Sequence, residues 1–396
     1  MKTLDDLNNI KGKTVLLRLD LNVPVDEKGQ VTDTTRIDRV KETVSELKDK
    51  QAKVVILSHF GRPKGQKDDD YTLAFLPSVL QKQWGIDVAF IDDCCASPSD
   101  KDLDVVLMEN IRFYEGEEKN DPEFVARIAN GEGDIFVNDA FSASHRAHAS
   151  TEGLAHALTA YAGRLLEAEL KALSMALGNP EKPVAAIVGG AKISTKLDVL
   201  HNLVKRTDIL ILGGGMANTF LYAAGADIGN SLCEKDMKQQ AQDIFAEAEE
   251  AGCSIFLPID GKAASEFKAN IPYDTVPMTA IPSDKMVLDI GTSSINAICH
   301  LIDQCKTLVW NGPLGAFEIS PFDEATVKVA QYAAELVKRG QLKVIAGGGD
   351  TVAALAKAGV VDDMTYVSTA GGAFLEWLEG KELPAIAALE MIDEEE

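Results

Sequence analysis

Short, continuous apolar runs alternate along this chain with stretches of helical periodicity, and this alternation limits the possible folds more than any other feature. TVLLRLDL, KVVILSHF, DVAFID, VVLMENIRF and DIFVNDAF occupy the first part, and PVAAIVGG, ILILGGG, CSIFLPI, KMVLDIG, TLVWNGP and LKVIAGGGD the second. A strand apolar on both faces must be covered on both faces, which crossover helices do for a parallel sheet. Two successive sets predict two doubly wound α/β domains. Between them LLEAELKALSMALGNPEKP, residues 165–183, is a long helical pattern closed by Gly-Asn-Pro, the natural connection.

Composition agrees with two domains and narrows the function. A chain of 396 residues exceeds one typical core, and 46% hydrophobic content is ample for burial. The longest apolar runs fall far short of a membrane span, so no membrane partner is expected. MKTLDDLNNIKGK has no apolar stretch of the signal-peptide kind. The six cysteines are sparse; Cys94 and Cys95 are adjacent, but no pair has zinc-site spacing with a second pair to match. Reduced thiols in a cytoplasmic enzyme are expected. A formal net charge of −23 argues against nucleic acid, whose phosphates need a basic surface. The DEEE end is expected to be a solvated tail.

Polar residues punctuate the strand ends, where open α/β sheets bind ligands. LRLDLN, SHFGRPKG, ENIRF and NDAFSASHRAH come first; GGAK, GGGMAN, NGPLGAFE and GGGDT follow. Eight of the ten arginines precede residue 165, and a planar guanidinium suits bidentate capture of carboxylate or phosphate. The first domain is therefore equipped for a small anion. Strand alternation in LRLDLN would put Arg18, Asp20 and Asn22 on one face and the leucines on the other. Arg36 and Arg39 sit at a helix start, His59 and Arg62 in a Gly/Pro turn, Arg112 directly after a strand, and Arg146 between His145 and His148. Two histidines there without a carboxylate or cysteine cluster do not make a metal site.

The second set is built from glycine and lysine. GGAKISTK, residues 189–196, places Lys192 and Lys196 at the start of an amphipathic helix whose buried face would be Leu197, Leu200, Leu203 and Val204, with Ser194 as a plausible cap. Cations are disfavoured at that helix end, which points to an anion the chain itself does not supply. The stretch fails the Walker A spacing, and GGGMAN and GGGDTV fail the dinucleotide fingerprint at Asn218 and Val352. Glycine turns opening helices still present backbone N–H groups to anions. Asp350 is a carboxylate suited to magnesium held largely by phosphates, and Glu318 is suited to ribose hydroxyls.

In order, R-x-D-x-N-V-P, S-H-x-G-R-P, E-N-x-R, D-A-F…H-R-A-H, G-G-A-K-x-x-x-K, N-G-P-x-G-x-F-E and G-G-G-D-T run through the whole chain, and this ordered set closely resembles the phosphoglycerate kinase family. The resemblance implies two Rossmann-like domains with mostly parallel sheets joined by a hinge helix: residues 1–168 for phosphoglycerate, 169–183 as hinge, 184–374 for nucleotide, and 375–396 packing back on the first. It implies reversible, Mg²⁺-dependent phosphoryl transfer between ATP and 3-phosphoglycerate, by a monomer. Carried over by motif, Asp20, Asn22, Arg36, His59, Arg62, Arg112 and Arg146 hold phosphoglycerate. Arg36, Lys192, Lys196, Gly348 and Gly371 serve the transfer itself. Lys196, Gly214, Asn311, Glu318, Gly347, Gly348, Gly349, Asp350 and Thr351 bind nucleotide, with Asp350 at the metal.

Departures from the family pattern are small. STAGG has Ala370 where the family's S-T-G-G-G has its first glycine, tolerable if Ala370 keeps a negative φ. Ser142 and Ser144 stand where the family often has Gly and Ala, GTSSI at 291–295 lacks a common Pro-Lys, and DEEE is no family signature. The alternative is a non-catalytic nucleotide-binding protein on the same fold, against which the intact set of Arg36, Lys192 and Lys196 argues. The failed fingerprints weigh against an NAD-linked dehydrogenase.

Overall fold

The computed structural model describes residues 1–97, 104–129 and 133–390; the DEEE tail lies outside the described residues. The chain divides into two units, residues 1–170 with 382–396, and residues 171–381. The division falls inside the helix Arg164–Leu173, which continues as a wider turn over Ser174–Gly178. The helix Gly371–Leu378 belongs to the second unit, its last carbonyl held by Asn202 at 2.8 Å, so the return to the first unit starts at 382 rather than 375.

The first unit carries β1 (Thr14–Arg18), β2 (Lys53–Leu57), β3 (Ala89–Ile91), β4 (Val105–Met108), β5 (Ile135–Asn138) and β6 (Thr159–Ala162). They form one parallel sheet in the order β3-β4-β2-β1-β5-β6. Every residue of β1, β4 and β5 is buried, as strands covered on both faces require. Val15, Leu17, Val54, Ile56 and Leu107 pack into one core with Ile37, Val44 and Leu80 of the covering helices. Strand order reverses between β1 and β5, which makes their carboxyl ends the expected ligand crevice.

The second unit has β7 (Val184–Val188), β8 (Ile209–Leu212), β9 (Ser254–Phe256), β10 (Asp260–Ala264), β11 (Tyr273–Pro277), β12 (Met286–Ile290), β13 (Thr307–Asn311), β14 (Lys343–Gly347) and β15 (Tyr366–Ser368). Six of these make a parallel sheet, β15-β14-β13-β7-β8-β9, which reverses order between β7 and β13. The remaining three, β11-β10-β12, form a small antiparallel sheet. KMVLDIG therefore does not join the parallel sheet: Met286 and Val287 at its start are only half-buried, and β12 pairs with β10. Among the described residues no helix is long and apolar enough to cross a membrane.

Candidate active site

At the crevice of the first unit, β1 runs into Leu19, Asp20, Leu21 and Asn22, and the helix Thr35–Arg39 brings Arg36 against it. Arg36 Nη1 donates to Asp20 Oδ2 at 2.7 Å and to the Asn22 carbonyl at 3.0 Å. The Ser142 hydroxyl, from the loop after β5, donates to the same carboxylate oxygen. Burial opposes ionisation of Asp20, but the surrounding charges and hydrogen bonds, Arg36 and Ser142 among them, outweigh it and hold the carboxyl below its ordinary range. Asn22 Oδ1 accepts the Gly61 N–H at 3.0 Å, and the Gly61 carbonyl accepts Arg112 Nη1 at 2.9 Å. Asn110 ties the His59 and Arg112 loops together, bonding the Phe60 carbonyl at 2.7 Å and the Arg112 N–H at 3.0 Å.

Arg18 does not line this crevice as strand alternation predicts. It is 1% exposed beneath it, donating to Ser150 Oγ at 2.9 Å, to the Leu19 carbonyl, and to His59 Nδ1 at 3.0 Å. Burial lowers its pKa to about 10. A guanidinium only donates, so His59 Nδ1 accepts and the ring proton sits on Nε2. Burial, helped by Arg18, Arg112 and Arg36 against the pull of Asp20, keeps His59 neutral well below its ordinary pKa. Ser150 passes the contact on, its hydroxyl donating to buried Glu117 at 2.7 Å. Arg112 Nε is buried with no hydrogen bond among the described residues, the Glu118 carboxylate lying 3.5 Å away. Arg62 and Arg146 are both exposed; Arg146 Nε contacts His145 Nε2 at 3.0 Å. His148 faces Glu117 at 3.7 Å, and burial lowers its pKa to about 4.

In the second unit Lys196 sits at the reversal point itself. Its ammonium donates to the Gly189 carbonyl at the end of β7 at 2.8 Å, and to the Asn311 backbone and side-chain oxygens at the end of β13 at 3.1 and 2.6 Å. Burial lowers its pKa to about 8, with Asp350 opposing. Gly189 is obligatory, since a Cβ there would stand 1.8 Å from the Pro313 carbonyl oxygen. Asn311 also donates to the Gly347 carbonyl at 2.9 Å, and Thr351 Oγ1 accepts the Gly312 N–H at 2.8 Å. Both are buried struts joining the glycine loops. Lys192 is exposed.

None of the seven α-helices between Leu197 and Leu378 is capped by the side chain of its own N-cap residue, and three of them, Gly214–Ala223, Gly349–Ala358 and Gly371–Leu378, open directly from glycine loops. In the first of these the Gly214 N–H goes to the Leu314 carbonyl at 2.9 Å and the Met216 N–H to the Gly190 carbonyl at 3.0 Å, whereas the leading N–H groups at Gly349 and Gly371 have no acceptor among the described residues and can take an external one. Gly371 lies against Gly348 and Gly349, so two of these ends are neighbours. Ala370 has φ −94°, the negative value its side chain needs. The helix after Lys196 spans Leu197–Arg206 and buries Val199 with Leu200, Leu203 and Val204, while Leu197 is half-buried. Ser194 does not cap it; its N–H and hydroxyl both go to Glu234, at 3.0 and 2.5 Å.

Beside these ends lies a cavity of about 360 Å³. Gly214, Gly215, Leu232 and Leu314 form one side, Met286–Ile290 of the antiparallel sheet forms another, and Glu318 and Asp350 also line it. Asp289 in that wall is held by Lys262 at 3.1 Å, and burial raises its pKa to about 7. Lys262 also reaches Glu324 at 2.6 Å. The sequence patterns do not reveal this pair, nor Glu117 and Ser150, because their partners are distant in the chain.

One unit thus gathers guanidiniums, a neutral histidine and amides at a sheet switch point, and the other gathers an ammonium, uncapped helix ends and an apolar slot. Anion-binding groups of this kind, one set on each of two parallel α/β sheets, are what a phosphotransferase requires. The family model described as phosphoglycerate kinase matches residues 4–381. A phosphoglycerate kinase of Allorhizobium ampelinum is 59% identical over 394 residues, covering 98% of both chains, and one of Chelativorans sp. is 56% identical over 395 residues, 98% of this chain and 99% of its own. The solved phosphoglycerate kinase of Coxiella burnetii superposes with a TM-score of 0.92 at 42% identity, covering 98% of each chain. That of Pyrococcus horikoshii gives 0.81 at 29% identity over the full length of both. The chain belongs to the phosphoglycerate kinase family.

Proposed function

We propose that this chain transfers the terminal phosphoryl group of ATP reversibly to the carboxylate of 3-phosphoglycerate, giving ADP and 1,3-bisphosphoglycerate, with the residues described above as its sites. The observation that supports the residue assignment best is the pair of neighbouring helix N-termini at Gly349 and Gly371, whose leading N–H groups have no acceptor among the described residues, together with the half-buried Lys196 ammonium. Orphan N–H groups and a cation held by carbonyls alone are completed by a polyanion.

The acceptor explains the absence of a general base in the mechanism. A carboxyl group of pKa about 3.5 is already ionised at neutral pH, so catalysis consists of positioning and charge neutralisation. Asp20, Asn22, Arg36, His59, Arg62, Arg112 and Arg146 hold phosphoglycerate. His59 donates from Nε2, and Arg112 Nε, buried and without a hydrogen bond among the described residues, is a ready phosphate or carboxylate donor. Arg36, Lys192, Lys196 and the N–H groups at Gly348 and Gly371 stabilise the moving phosphoryl. Gly214, Gly347, Gly349 and Thr351 shape the phosphate loops, Asn311 orients Lys196, and Glu318 takes the ribose beside the apolar slot. The exposed Asp350 at a helix start fits magnesium, which prefers one or two carboxylates plus phosphates. Mg²⁺ there would neutralise nucleotide charge. We further assign the protein to the cytoplasm as a monomer.

A coupled assay for ADP formation from ATP, Mg²⁺ and 3-phosphoglycerate tests the reading. Nucleotide binding without 3-phosphoglycerate-dependent turnover would leave only the non-catalytic alternative.

A further inference from the structure

Away from the phosphoglycerate crevice, the first unit holds a cluster that the reaction does not use. After β3, the chain turns through Asp93, Cys94 and Cys95. One carboxylate oxygen and the two sulfurs lie within 4.8 Å of one another, and they are the one group of three such ligands among the described residues. The Cys94 and Cys95 sulfurs are 3.9 Å apart, and all six cysteines of the chain are free thiols. Two thiolates about 2.3 Å from a tetrahedral zinc-type ion stand roughly 3.8 Å apart. The observed spacing therefore matches a shared ion, and it is far longer than the roughly 2.05 Å of a disulfide.

The surroundings hold this geometry. Asp93 Oδ1 accepts the Cys95 N–H at 2.9 Å and the Tyr114 hydroxyl, which fixes the carboxylate. Behind the sulfurs is an apolar wall of Leu16, Val55, Leu57, Met108 and Ile128. Cys94 is buried, while Asp93 and Cys95 are half-exposed and leave a path from solvent. Arg127 lies over the Tyr114 ring, 5.5 Å from its centre, and its charge acts on Cys95. It would offset the negative charge left by two thiolates and a carboxylate around a divalent ion.

We propose that Asp93, Cys94 and Cys95 form a site for one thiophilic divalent cation of the zinc or cadmium class, with an open fourth position. The expected stoichiometry is one ion per chain, and the two thiol protons leave to bulk solvent on binding.

Cadmium is the probe, because thiolate ligation gives an ultraviolet charge-transfer band that carboxylates do not. Titrating the full chain with Cd²⁺ should raise that band to saturation at one equivalent, and excess Mg²⁺ should not reverse it. Cys95→Ser should abolish the band and Asp93→Asn should weaken the affinity by about tenfold or more. A parallel measurement does not depend on the variants folding. Alkylating the wild-type chain with and without Cd²⁺, then mapping the modified peptides, should show Cys95 protected by the ion and Cys233 and Cys299 not. No band, a band unchanged in folded Cys95→Ser, or equal labelling of Cys95 with and without Cd²⁺ would each overturn the site.

Discussion

The Lys196 ammonium is 2.6 Å from Asn311 Oδ1, and this contact spans the point where the second sheet reverses its strand order. The lysine is charged, half-buried and satisfied by oxygens that an incoming phosphate can replace. Removing one such preorganised donor costs roughly 10²- to 10³-fold in rate. Lys196→Ala is therefore expected to lower kcat by at least about 100-fold with an unchanged circular dichroism spectrum. Near wild-type turnover in the purified variant would take Lys196 off the catalytic list.

The same burial makes a prediction in pH. The Lys196 pKa is lowered to about 8 in the folded chain, so between about pH 8 and the ordinary lysine value of roughly 10.4 the folded state binds fewer protons than the unfolded one. The burial penalty is full below pH 8 and is relieved as pH rises through this window. Anion binding needs the charged form, so ADP affinity should fall between pH 7 and 9, and binding at pH 8.5 should take up a proton. Calorimetry in buffers of different ionisation enthalpy measures that uptake. A pH-independent affinity would contradict the assignment.

In the first unit, Arg36 pairs with Asp20 at 2.7 Å while its side chain stays about one-third exposed. The guanidinium is thus oriented but reachable. Arg36→Ala should cut kcat by at least about 100-fold with a moderate loss of stability, because the buried Asp20 carboxylate loses its cation but keeps the Ser142 hydroxyl. A large drop in melting temperature with retained turnover would recast Arg36 as structural.

His148 gives an acid-stability test. Its folded pKa is depressed from 6.5 to about 4 by burial, Arg112 and Arg18. The unfolded chain therefore takes up a proton that the folded chain refuses, and stability present above pH 6.5 is lost as pH falls towards 4. Glu117, whose pKa burial raises, acts in the opposite sense, so the informative quantity is a difference. Wild type should lose more melting temperature than His148→Gln between pH 6.5 and 4.5. Parallel curves would refute the depressed histidine.

How far the sequence discloses this molecule depends on what each element faces. β1, β4, β5, β7 and β13 are buried along their whole length and stand out as apolar runs. β11, with four exposed residues in five, carries no such run, and neither do the short edge strands β6 and β15. Of the antiparallel sheet, the pattern therefore shows only β12, as KMVLDIG, and neither its partners β10 and β11 nor its antiparallel pairing. Motif residues at strand ends were legible because the chemistry is local to each loop. The Arg18–Ser150–Glu117 relay was not, because its members come together only through packing, Arg18 and Ser150 being 132 residues apart. Ser194 carried a sound capping signal, but Glu234, 40 residues away, competes for both its donors.

Gly348 links backbone geometry to the charge of Lys196. Its φ is +98°, and a Cβ placed there would meet Asn311 Nδ2 at 2.8 Å. Gly348→Ala must therefore both strain the backbone, at a cost of roughly 1–3 kcal/mol, and displace the amide that orients Lys196. Gly359 supplies the comparison, with φ +73° and open space around a built Cβ. Gly359→Ala should lose comparable stability and keep its kcat, whereas Gly348→Ala should lose stability and fall in kcat towards the level of Lys196→Ala. Urea unfolding with steady-state kinetics on both variants separates the two effects. Equal kcat in the two would mean that the Asn311 contact does not matter to the reaction.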